Sequence, residues 1–146
     1  MEYISAEEFL KQPVEVQNVF IEWWKPSDGD IYWWIKDKYI DYSCNFNFMN
    51  NTDVNNLKED KEIIPLLTEG QLREFIEYKT SGIIDIGYYG DSEGGYEIKI
   101  YKLDYKKDFI LDDETGRFEN YTFEELGKDL LQAYWKVACK IASKED

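Results

Sequence analysis

Trp23, Trp24, Tyr32, Trp33 and Trp34 place five large aromatic side chains within twelve residues, and that crowding limits what the chain can fold into. Neighbouring residues of a strand point to opposite faces, so Trp33 and Trp34 cannot both enter one core layer. Either the strand is covered on both sides, or one indole lies in a groove or at an interface. Aromatics make up 17% of the 146 residues and apolar residues 43%. A net charge of −14 would otherwise suit a disordered acidic chain. Here the rings must be buried or paired, so the chain folds. Its length is that of one ordinary domain, and a single domain over 1–146 is expected.

Local signals divide the chain into helices and strands. Ser5 and Glu8 have capping-box spacing, which predicts a short helix from Ala6 to about Gln12. Pro13 suits the first turn of a second helix running through Trp24, with Pro26 and Gly29 ending it. Ile31–Ile35 reads as a strand. From Ile40 the chain alternates, with Ile40, Tyr42, Cys44, Phe46 and Phe48 expected on the buried face. Residues 50–62, rich in Asn, Asp, Lys and Glu, read as a loop. Thr68 and Gln71 predict a middle helix with Leu72, Phe75 and Ile76 inward and Gly82 beyond its end.

Ile83–Tyr89 and Tyr96–Tyr105 then read as strands around the glycine-rich stretch Gly90–Gly95. Shorter strands are expected at Phe109–Leu111 and Arg117–Tyr121. Thr122 and Glu125 suggest a capping box before a long final helix to about Ser143. The expected fold is α+β: a central, mostly antiparallel sheet with N-terminal helices, a middle helix and a long C-terminal helix.

The absence of histidine removes most familiar chemistry. Ser-His-Asp and Cys-His arrangements are impossible, as are histidine-based metal sites. Cys44 and Cys139 are too few for a cysteine-rich zinc site and lack CxxC spacing, so they read as free thiols of a reducing compartment. No GxxxxGK[ST] or GxGxxG motif occurs. Carboxylate-only catalysis stays open in principle, but nothing among the 31 acids singles out a pair. No catalytic residue, metal ligand or cofactor is expected. Asp112-Asp113-Glu114-Thr115-Gly116 lacks the register of an EF-hand loop and reads as a polar turn.

Charge and rings supply the candidate binding residues. Between Asp85 and Glu125 twelve acidic residues face five basic ones, so half the net charge falls in 41 residues. A ribbon of such carboxylates could imitate nucleic-acid phosphates and occupy a basic channel; ordinary solvated loops explain the same count. Asp91, Glu93, Asp112, Asp113, Glu114 and Glu119 are the acidic candidates. Trp24, Tyr32, Trp33 and Trp34 are the aromatic ones, as binding anchors or as core. The acidity argues against direct contact with a nucleic-acid backbone and against anionic membranes. It favours a protein with a basic surface. There is no apolar run long enough to span a bilayer, and Met1-Glu2-Tyr3-Ile4-Ser5 lacks the pattern of a signal peptide.

Ala6-Glu7-Glu8-Phe9-Leu10 through Trp23-Trp24-Lys25-Pro26, Ile63 to Glu77, and Asp129 to Ala138 together resemble small proteins encoded by phages and prophages of clostridia and related low-GC bacteria. The resemblance covers both ends and the middle helix. It implies a phage accessory protein in the bacterial cytoplasm, and it carries no functional residue across, since no activity is defined for that group. The resulting expectation is a non-enzymatic, anti-CRISPR-like or other anti-defence inhibitor of a host defence or nucleic-acid-processing protein. A small-ligand or nucleotide-sequestering module and a virion structural or assembly protein are the alternatives, and the sequence is compatible with a monomer or a homodimer.

Overall fold

The computed structural model describes residues 2–44, 50–89 and 94–144. The fold is α+β, with its strands divided between two three-stranded antiparallel sheets. Two compact units make up the chain, Tyr3–Thr68 and Glu69–Asp146.

In the first unit, α1 (Ala6–Leu10) starts where Ser5 Oγ accepts the Glu8 N–H. Pro13 precedes α2 (Val14–Trp23) as expected, its missing N–H costing nothing at a helix start. Phe9 and Phe20 are buried with ring centroids 6.0 Å apart, which joins the two helices. Strands β1 (Ile31–Trp34), β2 (Tyr39–Tyr42) and β3 (Ile63–Pro65) pair in the order β2-β1-β3.

Two expectations for this unit are corrected. The segment read as a loop contains α3 (Asn51–Glu59). Asn50 accepts the Asp53 N–H while the Asp53 carboxylate accepts the Asn50 N–H, a complete capping box. Val54, Leu57 and Lys58 then recur at helical spacing and turn inward, so the polar composition conceals a narrow buried stripe.

The strand expected to run from Ile40 to Phe48 ends at Tyr42, and its faces are reversed. Ile40 and Tyr42 are exposed, and Asp41 is the partly buried residue. The cause is local: Asp41 lies opposite Tyr32 and accepts the Trp34 indole N–H at 3.3 Å. A satisfied carboxylate on an edge strand thereby takes the inner position. Phe46 and Phe48 lie outside the described residues.

In the second unit, α4 (Glu69–Thr80) leads into β4 (Gly82–Tyr89), β5 (Gly95–Lys102), β6 (Asn120–Phe123) and α5 (Leu130–Ser143). The sheet order is β4-β5-β6. The helices pack on each other, α4 on β4 and α5 on β5. Ile98 and Ile100 are fully buried, and α5 buries Leu131, Ala133, Tyr134, Trp135, Val137, Ala138 and Ala142.

Ser81, not Gly82, takes the left-handed position that closes α4, with φ 53°. Gly82 is required by packing instead: a Cβ there would fall 2.6 Å from Ile100 Cγ2. The expected capping box at Thr122 and Glu125 does not form. Thr122 lies in β6, and the chain turns through Glu125 (φ 56°) and Gly127 (φ 87°). Asp129 caps α5 instead, accepting the Gln132 N–H at 2.9 Å. Two turn residues with positive φ cannot open a helix, which delays its start.

Candidate functional site

The outward face of the second sheet is built from alternate residues, as a period of two requires. Ile83 and Asp85 of β4, Glu97, Lys99 and Tyr101 of β5, and Asn120 and Thr122 of β6 share it, with Ile83 opposite Tyr101 and Asp85 opposite Lys99. Tyr101, on the middle strand, lies between Ile83 and Asn120. The chain between β5 and β6 returns over this region through single bridges, Leu103 with Phe109 and Leu111 with Phe118. Backbone bonds fix the excursion: Ile110 N–H donates to the Lys102 carbonyl and Glu119 N–H to the Ile110 carbonyl at 2.7 Å. Phe109 and Phe118 consequently meet Tyr101 edge-on, at 6.1 and 6.3 Å between centroids, and each other at 5.0 Å.

These rings are not closed off. Phe109 and Phe118 remain about 45% exposed, and Ile83 and Leu111 are also exposed. Single exposed apolar residues need no explanation, but a contiguous group held on a braced backbone is the anatomy of a contact surface.

The acids are placed differently from a ribbon of carboxylates. Glu97 pairs with Lys99 at 3.5 Å, and Asp85 lies across from the same lysine. Glu119 reaches Lys102 at 3.9 Å. Asp104 accepts the N–H groups of Lys106 and Asp108 and so shapes its own loop. Asp112 accepts those of Glu114 and Thr115, and these bonds hold its carboxyl below the ordinary range. Asp113 and Glu114 are exposed in that turn. Acids and lysines therefore alternate on the outward face and along the excursion that carries the rings. Asp91 and Glu93 lie outside the described residues.

The aromatic candidates of the first unit form a column. Trp24 is buried and donates its indole N–H to Asp30 at 2.9 Å. It lies 6.5 Å from Tyr32, Tyr32 lies 6.0 Å from Trp34, and Trp34 stacks on Tyr39 at 5.9 Å. With Val54 and Ile63 the first two belong to a core, and Trp34 packs against it half-buried. Trp33 points the other way, paired with Ile40 and Ile64 in the ladder. Trp33 and Trp34 therefore face apart, and Ile40 beside Trp33 is exposed.

Sequence reasoning missed Tyr101, Phe109 and Phe118. The alternation of β5 points Tyr101 away from Ile98 and Ile100, but nothing local predicts that residues eight and seventeen positions on return to it.

Cys44 and Cys139 are half-buried thiols, neither in a disulfide. Among the described residues no group of three or more acids or cysteines is placed to hold a metal ion. Among them, too, no helix is long and apolar enough to cross a membrane. Comparison with protein-family models, with curated proteins and with solved structures finds no match to this chain.

Proposed function

We propose that this is a non-enzymatic binding protein, carried by a phage and acting in the bacterial cytoplasm, that inhibits a host defence or nucleic-acid-processing protein by occupying a basic part of its surface. The observation that supports it best is the Tyr101–Phe109–Phe118 group, its two phenylalanines exposed on a hydrogen-bonded excursion that also carries the Asp112–Glu114 turn, with Asp85 and Glu97 on the same sheet face as Tyr101. Aromatic anchors supply affinity at an interface core, and charges at its rim steer encounter and choose the partner. A chain of net charge −14 approaches a basic surface favourably and a nucleic-acid backbone unfavourably.

The interleaved lysines shift the reading from phosphate imitation to docking. Affinity rests on ring burial, and the acids orient the partner. The test is affinity capture from host lysate with wild type and with Phe109→Ser/Phe118→Ser. A stoichiometric partner held by the first and lost by the second supports the reading. Equal capture by both contradicts it, and so does a captured species that proves to be nucleic acid.

A further inference from the structure

Strand β4 ends the second unit's sheet, with β5 as its one strand neighbour among the described residues, and its free edge carries none of the usual guards. Gly82–Tyr89 contains no proline and no lysine. Its register with β5 runs unbroken from Gly82 opposite Lys102 to Tyr89 opposite Gly95, so no bulge turns the edge away. Ile83 and Tyr89 are exposed on the outward face, and Ile86 and Tyr88 on the inward one. Ile86 is 37% exposed although Ile98, directly across from it on β5, is fully buried. A missing layer would bare one face of a strand. Apolar exposure on both faces marks a missing neighbouring strand.

The backbone is poised for one. Tyr96 and Lys102 of β5 direct their N–H and C=O groups away from β4, Tyr96 to Gly127 and Leu126, and Lys102 to Glu119 and Ile110. Tyr88 and Gly82, opposite them, therefore turn theirs to the free edge, and by alternation so do Ile84 and Ile86. The Gly82 N–H donates there to Thr80 Oγ at 3.2 Å. Among the described residues, the edge-facing groups of Ile84, Ile86 and Tyr88 meet no backbone partner.

We propose that this edge binds a second copy of the chain, β4 against β4 about a two-fold axis at Ile86, joining two three-stranded sheets into one. Residues opposite each other in an antiparallel pair share a face, so the axis must fall at a residue position. At Asp85 it would set two carboxylates directly opposite, which is destabilising. At Ile84 or Gly87 the ladder would shorten to five residues of β4. At Ile86 the seven residues 83–89 all pair. Ile83 then meets the partner's Tyr89, Ile84 the partner's Tyr88, and Asp85 the partner's Gly87. Aromatic side chains opposite β-branched ones are stabilising cross-strand pairs. Asp85 is the one charged residue of the strand, in a chain where 33% are charged, so copies of net charge −14 meet with a single charge each at the seam. The seam does not involve Tyr101, Phe109 or Phe118, so this assignment and that of the docking face can fail separately.

Sedimentation velocity of the protein alone, over a range of protein and salt concentrations, tests the seam. Wild type is expected to pass from monomer to dimer as its concentration rises through the micromolar range, the strength of a small interface. Added salt should strengthen this association of like-charged copies, the opposite of its effect on a complex with a basic partner. Ile86→Lys, which sets two ammonium groups at the axis, is expected to weaken the dimer about 10-fold or more. In a Cys44→Ser/Cys139→Ser background, Ile86→Cys should oxidise in air to a covalent dimer. Tyr88→Cys, more exposed but remote from its counterpart across the axis, should not. Thermal unfolding shows whether each variant is folded, and the two cysteine variants decide the matter if Ile86→Lys is not. A wild type that stays monomeric at every concentration overturns the proposal and leaves the edge to an extended segment of another protein. A dimer equally strong in Ile86→Lys also overturns it. So does faster cross-linking through Tyr88→Cys than through Ile86→Cys, the result of association by another surface.

Discussion

Lys58 donates from Nζ to the backbone carbonyl of Trp24, so a buried ammonium group closes the end of α2 from α3, 34 residues later in the chain. Trp24 is the extended C-cap of α2, so the helix itself offers its carbonyl no donor. The long stem of Lys58 crosses the stripe of Val54 and Leu57 to supply the missing donor. Its pKa is lowered, chiefly by burial.

Lys58→Ala is therefore expected to destabilise the fold by about 2 kcal/mol, the scale of a buried hydrogen bond from a charged donor. Urea unfolding measures it. Because the folded-state pKa lies below the unfolded value, the unfolded chain binds the proton more tightly in between. The cost of burying the charge is present at neutral pH and fades as pH rises through the lowered pKa towards 10.5. Stability unaffected by the substitution would show that the bond contributes nothing.

Tyr32 is fully buried, and among the described residues its hydroxyl makes no hydrogen bond of good geometry. Burial holds the phenol well above its ordinary pKa, and the nearby Asp41 carboxylate, which would repel a phenolate, adds to this. Tyr32→Phe is expected to stabilise the protein by about 1 kcal/mol, since an unsatisfied buried donor is removed and the ring is kept. A loss of stability in thermal unfolding would contradict an unpartnered hydroxyl.

Tyr134 is raised for the same leading reason, burial, which outweighs the pull of Arg73. For both phenols the folded pKa exceeds the unfolded value of 10.0, so their contribution is complete below pH 10 and is lost as pH climbs above it. Absorbance at the phenolate band is expected to show Tyr32 and Tyr134 ionising above the pH of a free phenol, read as the difference between wild type and Tyr32→Phe or Tyr134→Phe. A difference spectrum that titrates at the ordinary phenol pKa would refute this.

Much of the fold is legible in the sequence where a local signal and a buried stripe agree. α2 after Pro13, α4 with Leu72, Phe75 and Ile76 inward, and the β4–β5 hairpin are of this kind. Legibility fails where a polar residue takes an inner role. Asn50 and Asp53 look like loop residues until they cap α3, and Asp41 reads as outward until the Trp34 indole draws it in. The Thr122–Glu125 spacing fits a cap by pattern alone, and two positive φ angles override it.

The candidate surface follows the same division. That Trp33 and Trp34 face apart is a local consequence of strand geometry, readable in advance. The meeting of Tyr101, Phe109 and Phe118 is not, because it depends on single bridges across an irregular excursion. Pairings that lie far apart in sequence leave no periodic trace.

The proposed docking surface yields to one experiment: capture of a host protein by wild type, by Phe109→Ser/Phe118→Ser and by Asp85→Asn/Glu97→Gln, washed at low and then high salt. Both phenylalanines are substantially exposed, so the first variant should keep its fold. It is expected to weaken the complex at least 30-fold, on the order of 2 kcal/mol or more for a pair of aromatic anchors. The acid variant should bind more slowly and lose most of its salt sensitivity. A partner retained by all three proteins at every salt concentration would contradict the assignment of this face.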